Sequence, residues 1–286
     1  MTIFAKIIKM EGPAIVSNIK QKKLFRWIKV LLLIYCLVGI IVYYVQDYAL
    51  LHPIQLSKNY KYAFDNSYKE LNIAFDKQSN INIIQFNQQA DTAKGVVLYF
   101  HGNKNNIEHY KRFAPNFTKN GYEVWMIDYP GFGKSTGKFS EKMVYDWSLV
   151  LYNLARKRFK PANIIIYGKS LGTGVAAQLA SIRDCKTLIL ETPYYNMTSL
   201  AGTYLWMYPL ERMLNYKLAT NEYLQKVTAP VIFFHGTNDR VIPYNNALKL
   251  KNLMKRGDEF ITLSGGTHNN LNSFKQMQVK LDRIMQ

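Results

Sequence analysis

The chain is 286 residues long and 48% hydrophobic, enough for one large buried core or two small ones. Its 37 lysines and arginines against 19 acidic residues give a net charge of +18, yet it carries no nucleic-acid motif and no basic stripe interleaved with stacking aromatics. A nucleic-acid partner is therefore set aside in favour of an anionic membrane surface. No cluster of His, Cys, Asp and Glu has metal-ligand spacing, and the two cysteines, Cys36 in an apolar run and Cys185 far along the chain, argue against a structural disulfide.

Residues 1–29 form a basic tail, with Lys6, Lys9, Lys20, Lys22, Lys23, Arg26 and Lys29 against one acid, Glu11; the rest of the chain holds 30 basic and 18 acidic residues. The next stretch, 30–51, is mostly Leu, Ile, Val and Tyr and reaches the roughly 20 residues that a helix needs to cross a bilayer. Lys29 is placed to snorkel, and Trp27, Tyr43, Tyr44 and Tyr48 sit where interfacial aromatics belong. A buried core helix would leave the basic flank unexplained. A cleaved signal peptide fits poorly, because the basic region is long, the apolar run over-long and no A-x-A-like site follows. The expectation is an uncleaved single-pass anchor. Only Lys58 and Lys61 appear shortly after it, so the positive-inside tendency predicts a cytoplasmic amino terminus and a catalytic domain on the periplasmic or lumenal side.

From about residue 60 onward, short apolar runs alternate with helical patterns. Strands are predicted at 95–100, 123–128, 163–167, 186–190 and 230–234, with weaker candidates at 81–86 and 259–263. Helices are predicted at 104–120, 140–159, 171–183, 244–255 and 270–285 from their 3.6-residue apolar spacing. Such alternation implies an α/β fold, a mostly parallel sheet flanked by helices, in one domain over 52–286.

In such a sheet functional residues belong beyond the carboxyl ends of the strands. After 163–167 comes Gly168-Lys169-Ser170-Leu171-Gly172, a G-x-S-x-G turn between strand and helix that presents a nucleophilic serine. After 95–100 comes His101-Gly102-Asn103, where the amide of Asn103 is expected to join that of Leu171 in receiving an oxyanion. His101 beside them suits a structural role better than that of a base. After 230–234 lies Asp239, a carboxylate able to orient an imidazole, and after 259–263 a glycine-rich loop presents His268. Serine, acid and histidine in that order, each behind its own strand, is the order of one hydrolase class. The turn over 128–137 contains Gly133-Lys134-Ser135 but fails the spacing of a phosphate-binding loop, since position 128 is Asp, so nucleotide binding is rejected.

Seven segments carry a resemblance: Leu51-His52-Pro53, FHGN (100–103), DYPGFGKSTG (128–137), YGKSLGTG (167–174), ETPY (191–194), HGTNDRVIP (235–243) and GGTHNN (265–270). With these the chain resembles the α/β-hydrolase superfamily over about residues 48–285, in particular the Bem46-like group with its α/β-hydrolase domain-containing 13- and 17-type membrane hydrolases. The resemblance implies Ser170 as nucleophile, Asp239 as acid, His268 as base, and Asn103 with Leu171 as oxyanion donors.

The chemistry so predicted is acyl transfer through an acyl-enzyme, with no cofactor and no metal. The segment 194–226 is dense in Tyr, Trp, Met and Leu and is expected either to form a small cap, with Tyr194, Trp206 and Met207 shaping an acyl pocket, or simply to pack on the sheet. A lipid-like carboxylic ester or acyl thioester is the favoured substrate. A serine peptidase of the same fold and a non-catalytic binding protein remain alternatives.

Overall fold

The computed structural model describes residues 13–286, with side chains from Gln21 onward; residues 1–12 of the expected basic tail lie outside the described residues. The chain divides into two units, Met1–Gln46 and Asp47–Gln286. In the first, helix α1 spans Pro13–Leu50. Its stretch Gln21–Leu50, with a mean hydropathy of 2.5, is long and apolar enough to cross a membrane. Leu31, Leu33, Leu37 and Ile41 are exposed along it, as residues facing lipid would be.

The second unit opens with β1 (His52–Pro53), β2 (Tyr68–Ala74), β3 (Asn80–Phe86), β4 (Gly95–Phe100) and β5 (Lys104–Asn105). Short helices α2 (Ile107–Tyr110) and α3 (Pro115–Thr118) lead to β6 (Tyr122–Ile127), α4 (Glu141–Arg156), β7 (Ile164–Lys169), α5 (Gly172–Ile182) and β8 (Thr187–Glu191). Then come α6 (Met197–Leu205), α7 (Leu210–Met213), α8 (Thr220–Leu224), β9 (Val231–Gly236), α9 (Tyr244–Leu248), β10 (Glu259–Leu263) and α10 (Lys275–Ile284). The eight-stranded sheet runs β10-β9-β8-β7-β4-β6-β3-β2, parallel from β10 to β6 and antiparallel at β3 and β2.

The two-residue period of the central strands builds two cores at once. Val96, Leu98 and Phe100 of β4, with Ile164 and Ile166 of β7, join one apolar cluster; Val97, Tyr99, Ile165 and Tyr167 join the other. The first is closed by Val144, Trp147 and Leu151 of α4 and by Val175 and Leu179 of α5, the second by Phe117 of α3 and Met277 and Leu281 of α10. Each fully buried aliphatic side chain contributes about 1.5–3 kcal/mol, so the two faces together fix the sheet rigidly under its loops. Helix α4 shows the local logic: Ser140 accepts from the Met143 amide as N-cap, and apolar residues recur at three- and four-residue steps.

Three predicted helices differ from what is observed. The stretch 104–120 begins with the bridging pair of β5 and then breaks into α2, a 3₁₀ turn and α3, because Pro115 lacks the N–H that a continuous helix requires. The stretches 244–255 and 270–285 each divide into an α-helix and a 3₁₀ turn. Strand β2 escaped prediction, since its half-exposed, alternating side chains form no continuous apolar run.

Candidate functional site

The carboxyl ends of β4, β7, β9 and β10 lie along one edge of the parallel sheet, and each carries one of the four loops singled out above. After β7 the chain turns so sharply that Ser170 takes φ 52°, a left-handed conformation that costs free energy in a residue with a side chain. The turn is held by its neighbours: the Ser170 amide donates to the Glu191 carbonyl (2.9 Å), and the Ser170 carbonyl accepts from the amide (2.9 Å) and hydroxyl (2.6 Å) of Thr173. Gly172 is needed because a β-carbon there would stand 2.1 Å from the Phe100 carbonyl oxygen. Gly172→Ala should therefore lower stability by about 1–3 kcal/mol through overpacking, read as a shift in the denaturant midpoint.

His268 Nε2 lies 3.0 Å from Ser170 Oγ, and His268 Nδ1 lies 2.8 Å from Asp239 Oδ2. The second oxygen, Asp239 Oδ1, accepts from the amides of Val241 (2.8 Å) and Ile242 (2.9 Å), which leaves Oδ2 for the imidazole. Burial pushes the Asp239 carboxyl up, but its hydrogen bond and charge interaction with His268, together with the Ile242 amide, hold it below the usual carboxylate range. The acid and histidine loops lie back to back: the Asn238 amide donates to the Gly266 carbonyl (2.8 Å), and a β-carbon on Gly236 would meet that same oxygen at 2.2 Å. His235, next to the acid, is buried; burial pushes its imidazole down.

Leu171 caps the amino end of α5, where backbone amides lack intrahelical acceptors, and Asn103 lies in the turn after β4. Neither backbone N–H donates to a protein acceptor among the described residues. The β4 turn comes close to the serine, for a β-carbon on Gly102 would be 3.6 Å from Ser170 Cβ. His101 is fully buried, with Nδ1 2.7 Å from the Gly102 carbonyl and Nε2 3.2 Å from Asp128 Oδ1. This arrangement makes it part of the scaffold.

The residues expected to shape a pocket separate. Tyr194 is buried and its hydroxyl donates to the Leu171 carbonyl (3.2 Å), behind the serine turn. Trp206 is 78% exposed and lines a surface cavity of about 570 Å³ with Gly202, Tyr208, Leu210 and Arg212, while Met207 is also exposed. Sequence reasoning passed over a buried polar group beneath the site. The Lys169 ammonium pairs with Glu191 Oε1, the Tyr167 hydroxyl donates to Glu191 Oε2 (2.5 Å) and the Asn272 amide to Oε1 (3.0 Å). Lys169 Nζ also lies 3.4 Å from the His268 carbonyl. Charges at the ends of two otherwise apolar strands can be buried only as a pair.

Residues 91–221 match the family model described as serine aminopeptidase, S33. The chain is 31% identical over 195 residues to α/β hydrolase domain-containing protein 17C of Xenopus tropicalis, covering 66% of this chain and 61% of that one. It is 29% identical over 197 residues to the human protein 17B, covering 68% and 67%. The match thus spans about three-fifths of the length of the 17C relative. Among solved structures, an esterase of Pyrococcus furiosus superposes with a TM-score of 0.64 at 16% identity, covering 82% of this chain and 97% of its own. Est1E of Butyrivibrio proteoclasticus, solved with ferulic acid bound, gives 0.59 at 20% identity, covering 75% and 97%. With its sheet order, its serine turn and these likenesses, the chain has the α/β-hydrolase fold and is similar in sequence to the α/β hydrolase domain-containing 17 type.

Proposed function

We propose that the chain is a serine hydrolase that cleaves a carboxylic ester or acyl thioester, with a lipid-like acyl group, at a membrane surface. The observation that carries this reading is the continuous hydrogen-bonded path Asp239–His268–Ser170, assembled from three loops at one sheet edge. In the reaction His268 Nε2 takes the Ser170 proton as Oγ attacks the carbonyl carbon. The negative charge moves to the carbonyl oxygen, where the amides of Asn103 and Leu171 receive it. Collapse of that adduct breaks the bond to the alcohol or thiol, which leaves with the proton from His268. Water then gives its proton to the same imidazole, attacks the acyl-enzyme and releases the acid, restoring the Ser170 hydroxyl. Asp239 holds the imidazole in the tautomer that keeps Nε2 free to accept.

The membrane setting rests on the apolar helix Gln21–Leu50, and the charge asymmetry of its flanks supports a cytoplasmic amino terminus with the hydrolase unit on the opposite face. A peptidase reading is kept because the matching family model is described as an aminopeptidase. A fluorophosphonate probe should label the wild-type chain and leave Ser170→Ala unlabelled. Folded wild-type protein that resists the probe would sink the hydrolase reading. With purified protein, acyl esters of increasing chain length against aminoacyl amides decide between esterase and peptidase.

A further inference from the structure

The Leu51-His52-Pro53 motif takes no part in the chemistry above, yet it does not drift free of the domain. The Asn103 side-chain amide donates to the Leu50 carbonyl, and the Asn103 carbonyl accepts from the His52 amide (2.9 Å). Strand β1 continues alongside β5 in parallel register, His52 against Lys104 and Pro53 against Asn105. The Ile54 carbonyl accepts from the Asn106 side chain (2.9 Å) and the Gly133 amide (3.0 Å), and the Leu56 amide donates to the Gly133 carbonyl (2.7 Å). Residues 50–56 therefore form a strap along the outside of the turn that follows β4.

Two features separate this strap from ordinary packing. His52, Pro53, Ile54 and Gln55 are exposed between Leu50 and Leu51 at one end and Leu56 at the other, which pack partly buried against the cores, so the middle of the strap is held by backbone hydrogen bonds rather than by apolar burial. The turn it grips also contains Asn105 at φ 64°, a left-handed conformation that asparagine adopts more readily than other residues with a side chain. A turn held from one side by hydrogen bonds is a device for fixing backbone direction, and the residue gripped at both its side chain and its carbonyl is Asn103.

We infer that the strap is a positioning element: it sets the direction in which the Asn103 backbone amide points toward Ser170. The inference rests on the reading of that amide as an oxyanion donor. An amide displaced by a fraction of an ångström still permits substrate to bind but no longer meets the developing charge, so the loss falls on kcat and not on KM.

The test uses the full chain in detergent, with a short-chain p-nitrophenyl ester as substrate and fluorophosphonate labelling in parallel. Asn103→Ala keeps the backbone N–H and removes the side-chain bond to Leu50. A two-glycine insertion between Leu50 and Leu51 keeps Asn103 and slackens the strap. Each is expected to lower kcat about tenfold with KM within a factor of about two and an unchanged melting temperature. Combined, they should do no more than either alone, because both break one contact. An active wild type with unchanged kcat in both variants overturns the inference alone, as do fully additive losses or equal damage to kcat and KM. A wild type that neither turns over the ester nor takes the probe overturns the hydrolase reading and the inference with it.

Discussion

His268→Ala in the full chain is expected to lower kcat by about six powers of ten, Ser170→Ala by as much, and the double variant by no more than either. The reason is that in the proposed mechanism the two side chains perform one act. Without the imidazole 3.0 Å away, the Ser170 hydroxyl keeps its proton and is a poor nucleophile; without the hydroxyl, the imidazole has nothing to activate. Asp239→Asn should cost less, about four powers of ten, since an amide supports the wrong tautomer but leaves both reacting groups in place. The pH profile carries a further prediction. Because the bond to His268 holds the Asp239 carboxyl below its ordinary range despite burial, that group stays ionised through the range in which a carboxyl ordinarily takes up its proton. Loss of activity through protonation of Asp239 should therefore set in only below the ordinary carboxylate range, read as a fall in kcat/KM with decreasing pH. Steady-state rates on a p-nitrophenyl ester, with melting temperatures as a control for folding, measure all of this. A His268→Ala variant that retains more than about one hundredth of the wild-type kcat would sink the assignment.

The parts of this site that lie within one loop were readable from the chain. Gly168, Ser170 and Gly172 announce a tight turn because strand, turn and helix signals are local, and Asp239 and His268 stand directly behind apolar runs. What was not readable depends on contacts between distant segments. The strap over 50–56 reads as a tail behind an anchor until Gly133 and Asn106 are seen to grip it. Strand β2 has too few buried side chains to stand out, and its place at the sheet edge is set by pairing with β3. The aromatic richness of 194–226 suggested a pocket, but richness carries no direction. Tyr194 turns inward to the serine turn while Trp206 faces solvent. Burial of a charge is the hardest case, since Lys169 and Glu191 lie 22 positions apart and neither shows in the sequence that it is buried.

That pair supports the second large prediction. Lys169 is 5% exposed and Glu191 fully buried, so each charge depends on the other for the solvation it has lost. Glu191→Gln keeps the volume and leaves the ammonium with the His268 carbonyl at 3.4 Å and the ring of Phe113 at 5.5 Å. The expected cost is about 3–5 kcal/mol, a fall in melting temperature of roughly 10 °C for a chain of this size. Lys169→Met should cost less, because the carboxylate retains the Tyr167 hydroxyl and the Asn272 amide. The double variant should recover most of the loss, for neither side then buries an unmatched charge. The pair also spans the floor of the site, reaching the histidine loop through the His268 carbonyl and Asn272. Glu191→Gln should accordingly reduce kcat by about tenfold at a temperature where the protein remains folded. A loss in the double variant equal to the sum of the two single losses would mean that the two charges are not coupled, and an unaltered kcat in Glu191→Gln would mean that the pair supports the sheet without orienting the imidazole.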